Sequence, residues 1–164
     1  MTVTNTLSRT TAVAALLALL ASPVTAGEHL AVVERALTDA TIHLGAKSDS
    51  KDASDATIHP GAKGDSIGDL LTFANPVFDA ANKVQLGTDQ GYCVRVVVGK
   101  SWECFWTLML KDGQITVEGP FLDTGDSVMV VTGGSGKYAG AKGSMKLHPR
   151  DAKGSAYDFG YDLQ

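Results

Sequence analysis

The sequence has few cations, few cysteines and few aromatic residues. Its 14 Lys and Arg are outnumbered by 18 Asp and Glu, and the formal charge of −4 has the wrong sign for binding phosphate backbones. Two cysteines and four histidines are present, and none of them belongs to a set with metal-ligand spacing. These shortages argue against a nucleic-acid partner and a metal site. The 44% of hydrophobic residues still predicts a packed core.

Long apolar runs are also missing after the N-terminal region. Residues 12–21 form an apolar run that follows Arg9 and precedes small residues ending at Ala26. This run is shorter than the roughly 20 residues that cross a bilayer. The order of a cation, an apolar stretch and small residues is typical of a cleaved signal peptide. We therefore expect residues 1–26 to be removed, the mature protein to be secreted, and no membrane span.

A tandem repeat lies near the middle of the N-terminal half. Residues 39–50 (DATIHLGAKSDS) recur sixteen positions later as residues 55–66 (DATIHPGAKGDS), with ten of twelve positions identical. Two copies are too few for a solenoid, and the acidic stretch between them favours a lengthened surface loop. We assign residues 27–65 to a first strand plus this duplicated loop, and residues 66–164 to the remainder of a single domain.

Strand patterns dominate the chain after residue 66. Short runs rich in Val, Ile, Thr and aromatic residues alternate with Gly, Asp, Asn and Lys, as in strands joined by hairpins. We predict strands at residues 29–36, 67–78, 91–98, 102–110, 114–121, 127–132, 137–147 and 156–163. This order predicts an all-β fold, an eight-stranded antiparallel up-and-down barrel of calycin-like form. Its lumen would hold side chains or one small ligand.

One glycine-rich segment, residues 132–137 (TGGSGK), has the look of a phosphate-binding loop. The first Gly of that motif falls on Val131, and the Ser or Thr that should follow the Lys is Tyr138. The next residues alternate like a strand, whereas the motif requires a helix. We therefore interpret the segment as a hairpin turn.

Two features leave alternatives open. Cys93 and Cys104 lie on consecutive predicted strands of a chain expected to be exported, so they form a disulfide or leave a free Cys93 in the lumen wall. Glu34 follows three apolar residues in the first predicted strand. Strand alternation favours an outward Glu34, whereas an inward Glu34 would be a buried carboxylate with a raised pKa.

Five segments in consistent order resemble allene oxide cyclase, a β-barrel enzyme of plant oxylipin synthesis. They are residues 66–75 (SIGDLLTFAN), 91–94 (GYCV), 117–122 (VEGPFL), 126–136 (DSVMVVTGGSG) and 143–147 (GSMKL). The resemblance covers about residues 66–163 and, more weakly, the first strand. Dirigent proteins share the barrel and are similar at a greater distance.

The resemblance implies a cofactor-free isomerase, often a homotrimer, whose mostly apolar cavity folds an unsaturated epoxide for ring closure. It implies that Glu34 assists epoxide opening and that Asn75 holds a water near the developing oxyanion. The implied substrate contacts are Phe73, Pro76, Cys93 and Phe121.

The sequence departs from the family pattern, since the family has Asn where this chain has Ala36 and Tyr where it has Phe121. The family's Ser-Pro pair, which also holds the water, has no clear counterpart here. The expected partner is a small apolar molecule. The alternatives to a cyclase are a non-catalytic secreted binding barrel and a dirigent-like protein that orients intermediates made by a partner oxidase.

Overall fold

The computed structural model describes residues 27–44 and 64–164. The expected signal peptide and most of the repeat lie outside the described residues. The described part contains nine strands: β1 (Glu28–Arg35), β2 (Ala40–Ile42), β3 (Leu70–Asp79), β4 (Gln85–Val97), β5 (Ser101–Leu110), β6 (Gly113–Leu122), β7 (Ser127–Gly136), β8 (Gly143–Pro149) and β9 (Ala156–Leu163). Within those two ranges, no helix has the length and hydropathy to span a membrane.

Eight of these strands close into an antiparallel barrel, which confirms the predicted fold. The order around the sheet is β1-β9-β8-β7-β6-β5-β4-β3, and β1 pairs with β3 to complete the circle. Closure leaves no long strand edge exposed among these eight. The short strand β2 was not predicted. It pairs with the first three residues of β3, beyond the point where β1 ends.

Three strand boundaries differ from the predicted ones by four residues or more. β4 begins at Gln85 and not at residue 91, β7 continues to Gly136, and β8 begins at Gly143 and not at residue 137. The prediction of a hairpin turn at residues 132–137 is therefore wrong, since residues 133–136 pair with the start of β6 and the turn follows them. A Cβ on Gly134 would lie 2.3 Å from the Tyr138 carbonyl oxygen. Gly134 is therefore required because another stretch of backbone packs closely against β7 at this point, and not because the chain turns there.

The barrel interior is filled unequally. Alternate residues of each strand point inward, and the side chains that fill most of the interior are Leu108, Ile115, Met129, Met145, Tyr161 and Leu163. The remainder holds a cavity bordered by aromatic rings. Phe73 meets Trp106 edge-on at 5.8 Å between centroids, and Trp106 stacks on Phe159 at 5.5 Å. The sequence thus leaves one region of the lumen open, and aromatic side chains form its wall.

The first four residues of the repeat are exposed, as expected for a surface loop, but residues 39–44 are attached to the barrel and not free of it. Residues 40–42 form β2, and the buried Asp69 accepts hydrogen bonds from His43 Nδ1, the Leu44 N–H, and the N–H and hydroxyl of Ser66. Burial raises the pKa of Asp69, but these hydrogen bonds outweigh it and lower the pKa to about 2. A carboxylate with four donors anchors this segment beside β3.

Arg95 lies near the end of β4, next to Asp69. Its guanidinium donates to Asp65 at 2.7 Å and to Asp123 at 2.6 Å, and it lies 3.9 Å above the Trp102 ring. A buried cation needs such partners, because an uncompensated charge in the interior is strongly unfavourable. This cluster joins the end of β4 to Asp65 and to the β6–β7 loop.

Candidate functional site

The inner cavity has a volume of about 100 Å³. It is lined mainly by apolar and aromatic side chains with two carboxyl groups among them: Glu34, Asp39, Leu71, Phe73, Cys93, Trp106, Phe121, Leu147, Tyr157 and Phe159. Apolar walls with a small number of polar groups are the usual composition of a small-molecule site. The two carboxyl groups are therefore the natural candidates for chemistry.

Glu34 points into the barrel and is 5% exposed. The alternation argument for an outward Glu34 is therefore wrong. On β1 the side chains of Leu30, Val32 and Glu34 point inward. Val33 is buried as well, on the opposite face, so the sequence around Glu34 does not show the alternation of apolar and polar residues that marks the inward face. The pKa of Glu34 is raised to about 7. Burial is the main cause, a hydrogen bond from Asn75 opposes the rise, and the charge of Asp39 adds to it. Near neutral pH, both the protonated and the ionised form of Glu34 are therefore populated.

Asn75 is completely buried and joins both carboxyl groups to the backbone. Its Nδ2 donates to Glu34 Oε1 at 2.6 Å and to Asp39 Oδ1 at 2.7 Å. Its Oδ1 accepts from the N–H groups of Leu37 and Thr38, each at 2.9 Å, and from the Thr38 hydroxyl at 3.0 Å. Three donors on one side and two carboxylates on the other fix the orientation of this amide. Both amide hydrogens are therefore engaged by protein groups.

Three of the four predicted substrate contacts lie in the cavity wall, and one does not. Phe73, Cys93 and Phe121 line the cavity. Pro76 does not, because Asn75 and Val77 on either side of it point into the interior and strand alternation turns Pro76 to the outer face. The two carboxyl groups, the aromatic wall and Cys93 are thus brought together, and Pro76 is not.

Cys93 and Cys104 form a disulfide between directly opposed residues of β4 and β5. The free-thiol alternative is wrong, although Cys93 does lie in the cavity wall as that alternative proposed. The neighbouring Gly91 allows the close approach of β5, since a Cβ there would lie 2.4 Å from Trp106 Cβ. The bridge and this glycine hold the Trp106 ring against the cavity.

Asp89 is a buried acid that the sequence analysis missed. It lies opposite Asn75 in the β3–β4 register and is completely buried. Neither of its carboxyl oxygens meets a hydrogen-bond partner in the described ranges. Burial first, and then the charge of Glu34, raise the pKa of Asp89 to about 9. The nearby backbone N–H groups of Asp89 and Asn75 lower the pKa by a smaller amount, although they are not hydrogen-bonded to the carboxyl group. Asp89 is consequently protonated at neutral pH.

Two tyrosines complete the polar groups near Glu34. Tyr157 is directly opposite Glu34 in the β1–β9 register, and burial followed by the charges of Glu34 and Asp39 raises its pKa to about 12. Tyr161 is fully buried, and its hydroxyl, like Trp106 Nε1, lacks a hydrogen-bond partner among the residues described. A sequence signal for Tyr157 existed in the strand alternation of β9, where Tyr157, Phe159 and Tyr161 all point inward.

These observations define the class of protein: a closed antiparallel β-barrel with an apolar cavity that contains a buried carboxyl group, Glu34. The profile of the allene oxide cyclase family matches residues 43–150, well over half of the chain. The chain belongs to that family, which confirms the resemblance seen in the sequence. Glu34 and Asp39 precede the matched residues, so their place in the site rests on the geometry described above.

The fold is shared with solved structures of low sequence identity. The chain is similar to a pyocyanin demethylase, with 21% identity and a TM-score of 0.63 over 84% of this chain and 100% of that one. It is also similar to two pterocarpan synthase dirigent proteins. One has 12% identity and a TM-score of 0.62 over 84% of this chain and 92% of that one. The other has 13% identity and a TM-score of 0.60 over 91% and 96%. At these identities the similarity shows a common fold alone.

Proposed function

We propose that the protein is a cofactor-free isomerase that closes a ring in a small, apolar, unsaturated molecule held in the inner cavity. The observation that carries this proposal is Glu34, a buried carboxyl group with a pKa of about 7 that faces an apolar and aromatic wall. A general acid or base works best when its pKa is near the working pH. Family membership supports the same reaction class.

The walls and Glu34 would contribute in different ways. Phe73, Trp106 and Phe159 restrict the conformers of a flexible substrate, and restriction of this kind favours one ring closure over others. Glu34 in its protonated form donates to the substrate oxygen as the C–O bond of an epoxide breaks. Ring closure gains and loses no atoms, so the same carboxylate recovers the proton when the product forms. No co-reactant is required by this balance.

We assign Asn75 a positioning role in place of the water-holding role that the resemblance implied. Its two amide hydrogens are occupied by Glu34 Oε1 and Asp39 Oδ1. Among the described residues, no hydrogen-bond donor meets Glu34 Oε2, which is thereby available to a ligand. Asn75 therefore orients Glu34 and also ties it to the chain that follows β1.

The test is a ring-closure assay on an allene oxide generated in place, with chiral analysis of the product. Glu34→Gln preserves side-chain size and removes the titratable proton, so we expect a rate loss of about 10² to 10³ with ligand binding retained. Glu103→Gln, on the exposed outer face of β5, is the matched control and should behave as wild type. If wild type gives the racemic product at the buffer rate, the protein is not a cyclase for this substrate.

The second candidate function is a secreted barrel that binds a small molecule without converting it. The apolar and aromatic lining of the inner cavity favours it, because such walls bind an apolar molecule whether or not a polar group acts on it. Binding of an apolar analogue of the substrate without turnover in the same assay would select this function. Turnover only after addition of an oxidase would select a dirigent-like role instead.

A further inference from the structure

A second chamber lies outside the inner cavity. This outer basin has a volume of about 490 Å³ and is formed by the β6–β7 and β8–β9 loops. The residues that matter here are Leu122, Asp123, Thr124, Pro149, Asp151 and Lys153. The basin is several times larger than the inner cavity and falls within the range of ordinary ligand sites.

Phe121 and Tyr157 separate the two chambers, because both side chains line both of them. Their rings meet edge-to-face, with centroids 5.8 Å apart and planes at 80°. Both side chains are only partly buried. This pair of aromatic rings therefore lies between the chamber that contains Glu34 and the basin.

The inner cavity is smaller than the sites that usually enclose a whole ligand. Its volume is about 100 Å³, against roughly 300 to 1,000 Å³ for such sites. A ligand that reaches Glu34 with its reacting end must extend past the Phe121–Tyr157 pair. The remainder of such a ligand would lie in the outer basin.

The charges around the two chambers are unequal. Four acids line them against one base: Glu34, Asp39, Asp123 and Asp151 against Lys153. Arg95 binds Asp123 and offsets its charge. The charges of Glu34, Asp39 and Asp151 all act on the Tyr157 hydroxyl. A negative potential along a cleft disfavours anions and favours neutral or cationic groups.

We infer that the ligand is elongated and spans both chambers, with an unsaturated apolar end beside Glu34 and an uncharged or cationic polar end, and not a carboxylate, in the outer basin. This inference rests on the proposed function, in that both require binding in the lumen. It adds the length and the charge class of the ligand.

The length of the ligand is tested with 1-butanol, 1-octanol and 1-decanol as probes. Trp102→Phe leaves Trp106, in the cavity wall, as the one tryptophan of the chain, so its fluorescence reports occupancy, and thermal shift of the wild type is the second measurement. We expect affinity to rise by about ten-fold or more from butanol to decanol, because each added methylene buries more apolar surface. An affinity that stops rising at butanol would confine the ligand to the inner cavity and overturn the inference.

The charge of the ligand is tested with three probes of equal chain length at about pH 8, where carboxylates are ionised. Octanol and octyltrimethylammonium should each bind about ten-fold more tightly than octanoate at low ionic strength. Asp151→Asn should reduce the affinity for octyltrimethylammonium about three-fold or more. Asp112→Asn, in the β5–β6 turn outside both chambers, should leave it unchanged.

The outcomes separate the two proposals. Octanoate as the tightest probe would overturn the charge class, even if the ligand spans both chambers. Binding of the alcohols without ring closure would contradict the cyclase and keep the two-chamber ligand. If no probe changes Trp106 fluorescence or the wild-type melting temperature, the lumen does not bind apolar molecules and both proposals fail.

Discussion

At the scale of single residues, the interior contains two carboxyl groups with raised pKa values. Asn75 lies between them, bonded to Glu34 and opposite Asp89 in the β3–β4 register. Two nearby carboxyl groups in a region of low dielectric resist being ionised together. Asp89 is therefore the group that keeps its proton at neutral pH, and Glu34 is the group whose proton is exchangeable.

This pair predicts that stability falls as pH rises. The pKa of Glu34 is about 7 and that of Asp89 about 9 in the folded chain, against 4.5 and 3.8 as ordinary values. The folded chain thus binds these protons more tightly than the unfolded chain, and folding loses free energy as pH rises through that window. Asp69, whose pKa is lowered to about 2, acts in the opposite direction and only at lower pH.

Asp89→Asn tests this prediction because the amide is uncharged at every pH. Urea unfolding at about pH 5, 7 and 9 should show a declining free energy for wild type and a flatter profile for the variant above about pH 7. Asp112→Asn, in an exposed turn, serves as the matched control and should follow wild type. A wild-type free energy that rises from pH 5 to pH 9 would contradict the raised pKa values.

Residues of the site differ in how far the sequence predicts them. Phe73, Cys93 and Phe121 lie on strongly patterned strands, so a resemblance between segments was enough to place them in the wall. Asp89 was missed because it falls in residues 85–90, which have the Gly, Asp and Gln composition of a turn but belong to β4. Asp39 was missed because its partner Asn75 is 36 positions away. No local pattern encodes such a contact.

At the scale of elements, the repeat contributes β2 and the donors that hold Asp69. The second copy begins with the same five residues as the first, DATIH, but then has Pro60 where the first copy has Leu44. The Leu44 N–H donates to Asp69 Oδ1 at 2.7 Å, and proline has no N–H to donate. The two copies are therefore not equivalent in what they offer to the barrel.

Two deletions of sixteen residues isolate this difference. Removing residues 45–60 or residues 39–54 leaves chains that differ only in Leu44 or Pro60 after the histidine. Loop shortening alone changes stability little, about 0.6 kcal/mol per halving of length. We expect the chain with Leu44 to unfold in urea like the full protein, and the chain with Pro60 to be about 1 to 3 kcal/mol less stable. Equal stability of the two would show that this hydrogen bond contributes nothing.

The disulfide between β4 and β5 gives a further prediction. Thiol titration of the denatured, unreduced protein should find no free thiol, because both cysteines of the chain are in the bridge. Cys104→Ala with Cys93→Ala should lower the free energy of unfolding by about 2 to 4 kcal/mol. The double variant is preferred to a single one, since it leaves no reactive thiol. Two titratable thiols per chain would contradict the bridge.

At the scale of the whole molecule, two apolar side chains are exposed on the outer surface of β7. Val128 is 60% exposed and Val130 is 59% exposed, and strand alternation places both on the outer face. Their partners in the neighbouring strands are polar: Glu118 on β6, and Ser144 and Lys146 on β8. An apolar centre with a polar rim is the usual composition of a protein interface. We propose that this face joins copies of the chain, and the homotrimer implied by the resemblance is the expected assembly.

Charged substitution on β7 tests this assembly. Val128→Lys with Val130→Lys places two cations where the interface would exclude water, and such a change should convert a species of three chain masses into one of a single chain mass in sedimentation velocity. Val84→Lys is the matched control, because Val84 is 58% exposed but lies in the β3–β4 turn. It should leave the assembly intact. A wild-type protein that sediments as a monomer at about 100 μM would contradict the proposal. The inner cavity would then have to function within an isolated barrel, since the pairing of β1 with β3 closes each barrel from its own chain.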